Sequence, residues 1–341
     1  MGELWTPEEE ARLRERPYDY AYFNEVNPNA RTKKAFQIKR GMLGLGVPPL
    51  VAKNEIVAWD KRADEVSWRD FIDALEPLQD LRGRTTRSQD YARIAIATDR
   101  PVPVAFISDW HIGSWGVDVQ SIARNTDKLL DLHARYGLHV AILGDMVEMA
   151  IRLRSIAEIS GNLLPPADQV AFFRSWLRDV SQLVLWATWD NHAVMREEEL
   201  VGHSAIAEIC KDYTIYHSGI GHTDLEVGDQ VYSLATSHRF AGRSVSNPVA
   251  GQMRYMQNNP DREVVVAGDS HRPAIMQYED GGKERVAANC GSLQTNSRYA
   301  KRHFSLHTSE AMPVILFSPD EHTIAPHYSL SHFERFARRY L

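Results

Sequence analysis

Two cysteines in 341 residues, Cys210 and Cys290, are too few for a disulfide framework and form no C-x-x-C pair. That excludes a disulfide-stapled scaffold and a thiolate zinc ribbon, and a reducing, cytoplasmic setting is expected. Long apolar runs are missing too: no window approaches the roughly 18 residues of a membrane helix, and the glutamate-rich start carries no apolar leader, so a soluble, unexported protein with no membrane partner is expected. Net positive charge is absent, the formal balance being −6. A protein basic all over is thereby excluded, and any contact with nucleic acid must come from a local patch. No repeat of fixed period and no low-complexity tract interrupts the chain. What is present is 43% hydrophobic and 25% charged residues, enough core for one large domain or two smaller ones.

Residues 1–45 read as a small all-helical unit. Thr6-Pro7-Glu8-Glu9 has the form of a capping box with proline at the first helical position, so a helix to about Arg16 follows. A second helix is expected in 19–26 and a third from Arg31 to about Leu43, closed by Gly44. Gly46-Val47-Pro48-Pro49 marks a boundary. Residues 46–91 read as a linker holding an amphipathic helix, because Trp68, Phe71, Ile72, Leu75, Leu78 and Leu81 recur near helical spacing.

From residue 92 to 341 strands alternate with helices. ARIAIAT and VPVAFIS read as neighbouring strands around Asp99-Arg100-Pro101. A helix within 118–136, strand HVAIL, helical stretches around 146–159 and 167–180, and strand QLVLWAT come next. After a helix near 199–210 the chain is strand-rich (TIYHS, QVYSLATS, EVVVAG, PAIMQY, RVAANC, PVILF), with helices around 249–258 and at the C-terminus. This alternation predicts layered α/β (α+β) architecture.

Five polar interruptions stand where apolar runs stop: Asp109-Trp110-His111, Gly144-Asp145, Asp190-Asn191-His192, Ser237-His238-Arg239 and Gly268-Asp269-Ser270-His271. Strand ends placed side by side gather these groups at one sheet edge. Asp109 and His111 are two apart, so strand geometry predicts one shared face. Asp145 follows a glycine that permits a sharp turn, and its two oxygens can bridge two cations. Asn191 offers an amide oxygen, while His192 beside it points elsewhere, free for proton work. His238 and His271 complete the shells. Carboxylate, imidazole and amide without thiolate suit two divalent ions, manganese first, with iron, nickel or zinc as alternatives. Such a pair clamps the oxygens of an in-line phosphoryl displacement. Arg239, Arg243 and Arg272, close to these stops in sequence, are candidates for holding phosphate oxygens.

This ordered series resembles the calcineurin-like metallophosphoesterase superfamily, whose motifs run D-x-H, G-D, G-N-H, a lone H and G-H-x-H. The resemblance covers about residues 100–320 and implies a four-layer αββα sandwich. It implies that Asp109, His111, Asp145 and His271 hold one metal, that Asp145, Asn191 and His238 hold the second, and that His192 assists the leaving oxygen. Two positions depart from the pattern. Asp190 replaces the glycine before asparagine, altering a turn without removing a ligand. Asp269 replaces the first histidine of G-H-x-H and is expected to ligate the second metal as a carboxylate.

The run from Arg31 to Arg40 has five positive charges and no negative one. As a helix it presents Lys33, Lys34 and Arg40 outward, with Arg31 and Lys39 available to phosphate. With Trp5-Thr6-Pro7-Glu8-Glu9 and the 39–45 ending, the unit resembles a Myb/SANT-like helix-turn-helix, with Tyr20, Tyr22 or Phe23 replacing a later tryptophan. The pairing of such a unit with a metallophosphoesterase looks like phage-encoded architectures. The expectation is a metal-dependent phosphodiesterase of nucleic acid, a DNA nuclease resembling the double-strand-break repair branch and using a hydroxide activated by two metals, with DNA as partner and homo-oligomers open. Alternatives are a phosphomonoesterase or cyclic-nucleotide phosphodiesterase of the same fold, and a non-catalytic DNA-binding regulatory or assembly protein.

Overall fold

The computed structural model describes residues 5–16, 19–26, 31–45, 69, 72–73, 75–77, 90–149, 151, 162–242, 244, 246–294 and 311–341. The chain divides into two compact units, Met1–Leu81 and Arg82–Leu341. Most of the expected 46–91 linker, and with it Trp68, Phe71, Leu78 and Leu81, lies outside the described residues. Arg69, Ile72, Asp73, Leu75, Glu76 and Pro77 are helical and exposed.

The first unit contains α1 (Pro7–Glu15), α2 (Tyr20–Val26) and α3 (Lys33–Met42). The capping box forms: Glu9 donates its N–H to the Thr6 hydroxyl at 3.2 Å, and Thr6 donates its own to the Glu9 carboxylate at 2.8 Å. Leu13, Phe23 and Phe36 make the core, edged by Trp5, Tyr20, Leu43 and Leu45. Of the three candidate aromatics, Phe23 takes the centre, Tyr20 sits at the edge, and half-buried Tyr22 lies outside this core with Arg16 over its ring.

The basic run is divided by its pairing. Arg31 Nε and Nη2 donate to the two oxygens of buried Glu9 at 2.9 and 2.7 Å, and Lys39 pairs with Glu10. Both cations also lie by the Trp5 ring. Arg31 and Lys39 therefore hold α1 to the α3 segment instead of offering themselves to phosphate, whereas Lys33 and Lys34 are exposed and Arg40 is half-buried. The run looks uniform in sequence because its acidic partners lie more than twenty residues upstream. Glu9→Ala removes the carboxylate half of the capping box and the partner of a guanidinium that is only 10% exposed, so the helical unit should lose about 3 kcal/mol or more. Faster amide exchange across α1 and α3 in the full-length chain is the readout.

The second unit holds β1 (Tyr91–Ile96), β2 (Val102–Ile107), β3 (His139–Ile142), β4 (Val184–Thr188), β5 (Ile215–His217), β6 (Gly221–Val227), β7 (Gln230–Ser237), β8 (Val264–Ala267), β9 (Ala274–Asp280), β10 (Lys283–Asn289), β11 (Val314–Phe317) and β12 (Ile324–His327). Its helices are α4 (Val119–Tyr136), α5 (Pro166–Val180), α6 (Ala193–Val201), α7 (Ala205–Tyr213), α8 (Ala250–Asn258) and α9 (Leu330–Tyr340). Two six-stranded sheets form, ordered β1-β6-β7-β8-β10-β9 and β12-β11-β2-β3-β4-β5. Alternation along each strand sorts the layers. Val102, Val104, Phe106, Leu143 and Trp186 of one sheet pack on Leu225, Leu234, Val264, Val266 and Ala288 of the other. The opposite face of the first sheet, with Ala105, Ile107, Val140 and Ile142, is covered by α4, α5, α7 and α9. Ala235, Val265, Ala267 and Ala287 on the second meet α8. The result is the four-layer αββα sandwich.

Three expectations fail locally. β1 and β2 are not neighbours: β1 pairs with β6, while β2 lies between β11 and β3. Their burial explains it, since β1 has exposed positions suited to an edge and β2 is buried throughout, as an interior strand must be. Met146–Met149 is irregular instead of helical, Val147 bridging Ile112; residues 150 and 152–161 lie outside the described residues. The helix near 199–210 is two, α6 and α7, separated at Gly202 with φ 71°.

Candidate metal centre

All five polar stops fall at C-terminal strand ends, where open α/β sheets place their ligand sites. Asp109 and His111 follow β2, Asp145 follows β3, Asn191 and His192 follow β4, His238 follows β7, and Asp269 and His271 follow β8. The centre therefore draws on both sheets. The pleat does not bring Asp109 and His111 together, because both lie beyond the strand in left-handed backbone with φ of 57° and 47°. Asp145, Asp269 and His271 share that conformation at 50°, 63° and 53°, and Met149 is the sixth such non-glycine residue among the described ones. Left-handed backbone is unfavourable for a residue bearing Cβ and persists where surroundings enforce it, which concentrates it at functional sites.

Three overlapping groups present donor atoms to one another: Asp109, His111 and His271; His111, Asp145 and His192; Asp109, Asp145 and His238. His271 Nε2 is 3.2 Å from His111 Nε2 and 3.2 Å from Asp109 Oδ1, and His111 Nε2 is 3.8 Å from the same oxygen. Metal–ligand bonds of about 2.1 Å in tetrahedral array put ligand atoms about 3.4 Å apart, so this triangle has the span of a single cation. Asp145 Oδ2 lies 3.1 Å from His238 Nε2 and 4.0 Å from His111 Nε2, between the groups. Asp109 Oδ1, Asn191 Oδ1 and His238 Nε2 are buried without an aligned hydrogen bond. Buried polar atoms left without a partner are costly unless something fills their demand, and divalent cations fit this donor set.

Protonation in the metal-free protein points the same way. Burial raises the Asp109 carboxyl, but His271, His111 and His238 outweigh it and hold the group well below the usual range. Asp145 is likewise held down, burial being overcome by His192, His238 and His111. His238 is pushed up to about 9 against its burial, chiefly by Asp145. His111 rises against its burial through Glu148 and Asp109. Imidazolium charges thus occupy the place of cations.

His192 sits against the ligands, not apart from them. Its ring centroid is 4.8 Å from that of His111, Nε2 is 3.8 Å from Asp145 Oδ2, and Nδ1 donates to the Glu148 carbonyl at 3.3 Å. Burial lowers its pKa, so the resting ring is neutral, with Nε2 as its open position.

Asp269 joins none of the three groups. Its N–H donates to Asp109 Oδ2 at 2.9 Å, while its carboxylate lies 3.7 Å from Arg239 Nε. Arg239 is 54% exposed, Arg272 is half-buried, and Arg243 lies outside the described residues. Asp190 turns its buried carboxylate to backbone N–H groups. Burial and the Asp145 charge push its pKa up to about 7.

Glu148 escaped the sequence reading. Its Oε2 is 2.9 Å from His111 Nδ1 and accepts from Gln294 Nε2 at 3.3 Å. A carboxylate behind a ligating histidine fixes ring orientation and basicity. The signal was a lone acid inside the apolar run Met146-Val147-Glu148-Met149, since a carboxylate is rarely buried unless paired.

No family model matches the chain, and no curated protein matches it. Among solved structures, a conserved uncharacterized protein from Streptococcus pneumoniae TIGR4, described as a predicted phosphoesterase, is 12% identical with a TM-score of 0.33 over 69% of this chain and 93% of its own. Vacuolar Protein Sorting 29 from Cryptosporidium parvum is 12% identical with a TM-score of 0.35, covering 67% of this chain and 97% of its own. A protein serine/threonine phosphatase from Saccharomyces cerevisiae is 12% identical with a TM-score of 0.31, covering 87% and 96%. Likenesses this distant weigh nothing by themselves, and the sandwich and its centre stand on the strand order and distances above.

Proposed function

We propose that the protein is a two-metal phosphoesterase acting on phosphodiesters of nucleic acid, most directly DNA. The observation that carries the reading is the set of three overlapping ligand groups joined through Asp109, His111 and Asp145. Two bound divalent ions would activate water for attack on phosphorus and balance charge on the phosphoryl oxygens. The chain's own groups prepare the rest. Asp109 and Asp145 supply carboxylates that are ionised before any metal arrives. His192, its Nδ1–H engaged by the Glu148 carbonyl, keeps Nε2 open and would pass a proton released by the attacking water to the leaving oxygen. Arg239, half-exposed beside Asp269, would hold a phosphate oxygen.

Two features favour a polymeric substrate. Lys33 and Lys34 stand exposed on α3 beside exposed Gln37 and Ile38, a mixture suited to phosphate and base edges. Trp115, 65% exposed on the turn after His111, offers the kind of ring on which unpaired bases stack. The test compares end-labelled oligonucleotides and bis-p-nitrophenyl phosphate with p-nitrophenyl phosphate, each with manganese. Diester and oligonucleotide cleavage is expected, and monoester preference without oligonucleotide cleavage removes nucleic acid from the reading. Lys33→Glu with Lys34→Glu should weaken DNA binding and flatten its logarithmic salt dependence by about two. An unchanged slope removes α3 from the interface.

A further inference from the structure

We propose that Asp190 is a positioning residue, which clasps the backbone of Asp145 to the first turn of α6 and so aims the shared carboxylate and His192. The inference rests on the metal-centre reading and concerns a residue that touches no reacting atom. Asp190 is 3% exposed, too buried to serve as a surface turn residue. Its Oδ2 accepts the Asp145 N–H at 3.2 Å and its Oδ1 accepts the Val194 N–H at 2.9 Å.

The first bond crosses from the loop after β3 to the loop after β4. Asp145 answers it, because its Oδ1 accepts the His192 N–H at 3.2 Å. Each loop thus lends a carboxylate to the other's backbone. The second bond caps α6, whose N-cap residue His192 makes no side-chain cap of its own. A ring that must stay available cannot also serve as the cap, and Asp190 takes that duty from two residues upstream.

The clasp is needed because Gly144 and Asp145 are successive left-handed residues, with φ of 84° and 50°. The two loops are also matched in volume: a Cβ on Gly144 would meet Asp190 Cβ at 2.5 Å. A glycine at 190 would leave both N–H groups without this acceptor. Asparagine keeps the size but offers one oxygen for two donors and turns an amide NH2 toward one of them.

Asp190→Asn should bind manganese about 10- to 100-fold more weakly by calorimetry, the range for groups that hold ligands from behind. Phosphodiester kcat should fall by a similar factor, with KM changed less. The metal-free variant should keep the circular dichroism of the parent. Equal manganese affinity and equal kcat in a folded Asp190→Asn protein would overturn the proposal alone. A parent protein that takes up no divalent metal overturns the reading of the centre, and this proposal with it. If Asp190→Asn does not fold, the metal-free parent decides by amide exchange. Protected N–H groups at both Asp145 and Val194 support the clasp, and rapid exchange at either overturns it.

Discussion

Asp145→Ala should abolish tight binding of both divalent ions and lower phosphodiester kcat/KM by at least about 10³-fold, on the scale seen when one member of a cooperating catalytic set is removed. Asp145 belongs to two of the three ligand groups. Its Oδ2 lies 3.1 Å from His238 Nε2 and 3.8 Å from His192 Nε2, and its Oδ1 holds the His192 backbone. One substitution therefore removes the shared ligand, uncouples the groups and frees the loop that carries His192. It also leaves His238 buried without the carboxylate that chiefly sustains its charge, so the metal-free variant should be less stable at neutral pH. Calorimetric stoichiometry and steady-state rates measured on one preparation give the answer. A variant that still takes up two ions, or hydrolyses diesters at the parental rate, sinks the two-metal reading.

Manganese affinity should climb steeply with pH. A ligating imidazole offers its lone pair only when deprotonated, and His238, pushed up to about 9, is protonated at neutral pH in the metal-free protein. Each displaced proton costs about tenfold in apparent affinity per pH unit below the group's pKa. From pH 6 to pH 8 His238 alone gives about 100-fold, and His111, raised as well, steepens the slope. The sign for fold stability follows. His238, raised from 6.5, contributes metal-free stability that is full below 6.5 and lost as pH rises through about 9. Asp109 and Asp145, lowered from 3.8, contribute above that value and lose it in acid. Asp190, raised from 3.8 to about 7, opposes the fold increasingly over that interval, because the unfolded chain's carboxyl ionises there while the folded one stays protonated. Calorimetry in buffers of different ionisation heat counts the protons released. A flat affinity between pH 6 and 8 would mean the imidazoles are not ligands.

That the candidate ligands stand at strand ends was legible because chemistry-bearing residues at five such ends survive as a pattern whatever the loops do. Their conformation was not: strand alternation predicts one shared face for Asp109 and His111, whereas left-handed backbone, invisible in residue type, turns them inward. The layering was readable from apolar runs, yet β1 pairs with β6 and β2 takes β11 on one side, both more than a hundred residues away. β6 went unseen because its inward set, Gly221, Thr223, Leu225 and Val227, contains only two aliphatic residues. Pairing decided the basic run as well. Arg31 and Lys39 look like Lys33 and Lys34 in a string of letters, and only Glu9 and Glu10, folded beside them, tell them apart. Glu148 was hidden by an expected helix that the chain does not form there.

The two sheets contribute unequally to the centre, with Asp109, His111, Asp145 and Asn191 hanging from one and His238 and His271 from the other. A cation gripped by both sets is a rivet through the sandwich. Beneath it, His238 Nδ1 already reaches across to the Leu143 carbonyl at 2.7 Å, and Trp186 Nε1 to Thr236 Oγ1 at 2.9 Å. The apolar slab of Phe106, Trp186, Val266 and Cys290 then acts as the spacer of a calliper, its thickness fixing how wide the jaws stand. Thinning that slab by a methyl group or two, far from any ligand, alters the gap in which the ions must fit, so the centre feels substitutions in a core it never touches.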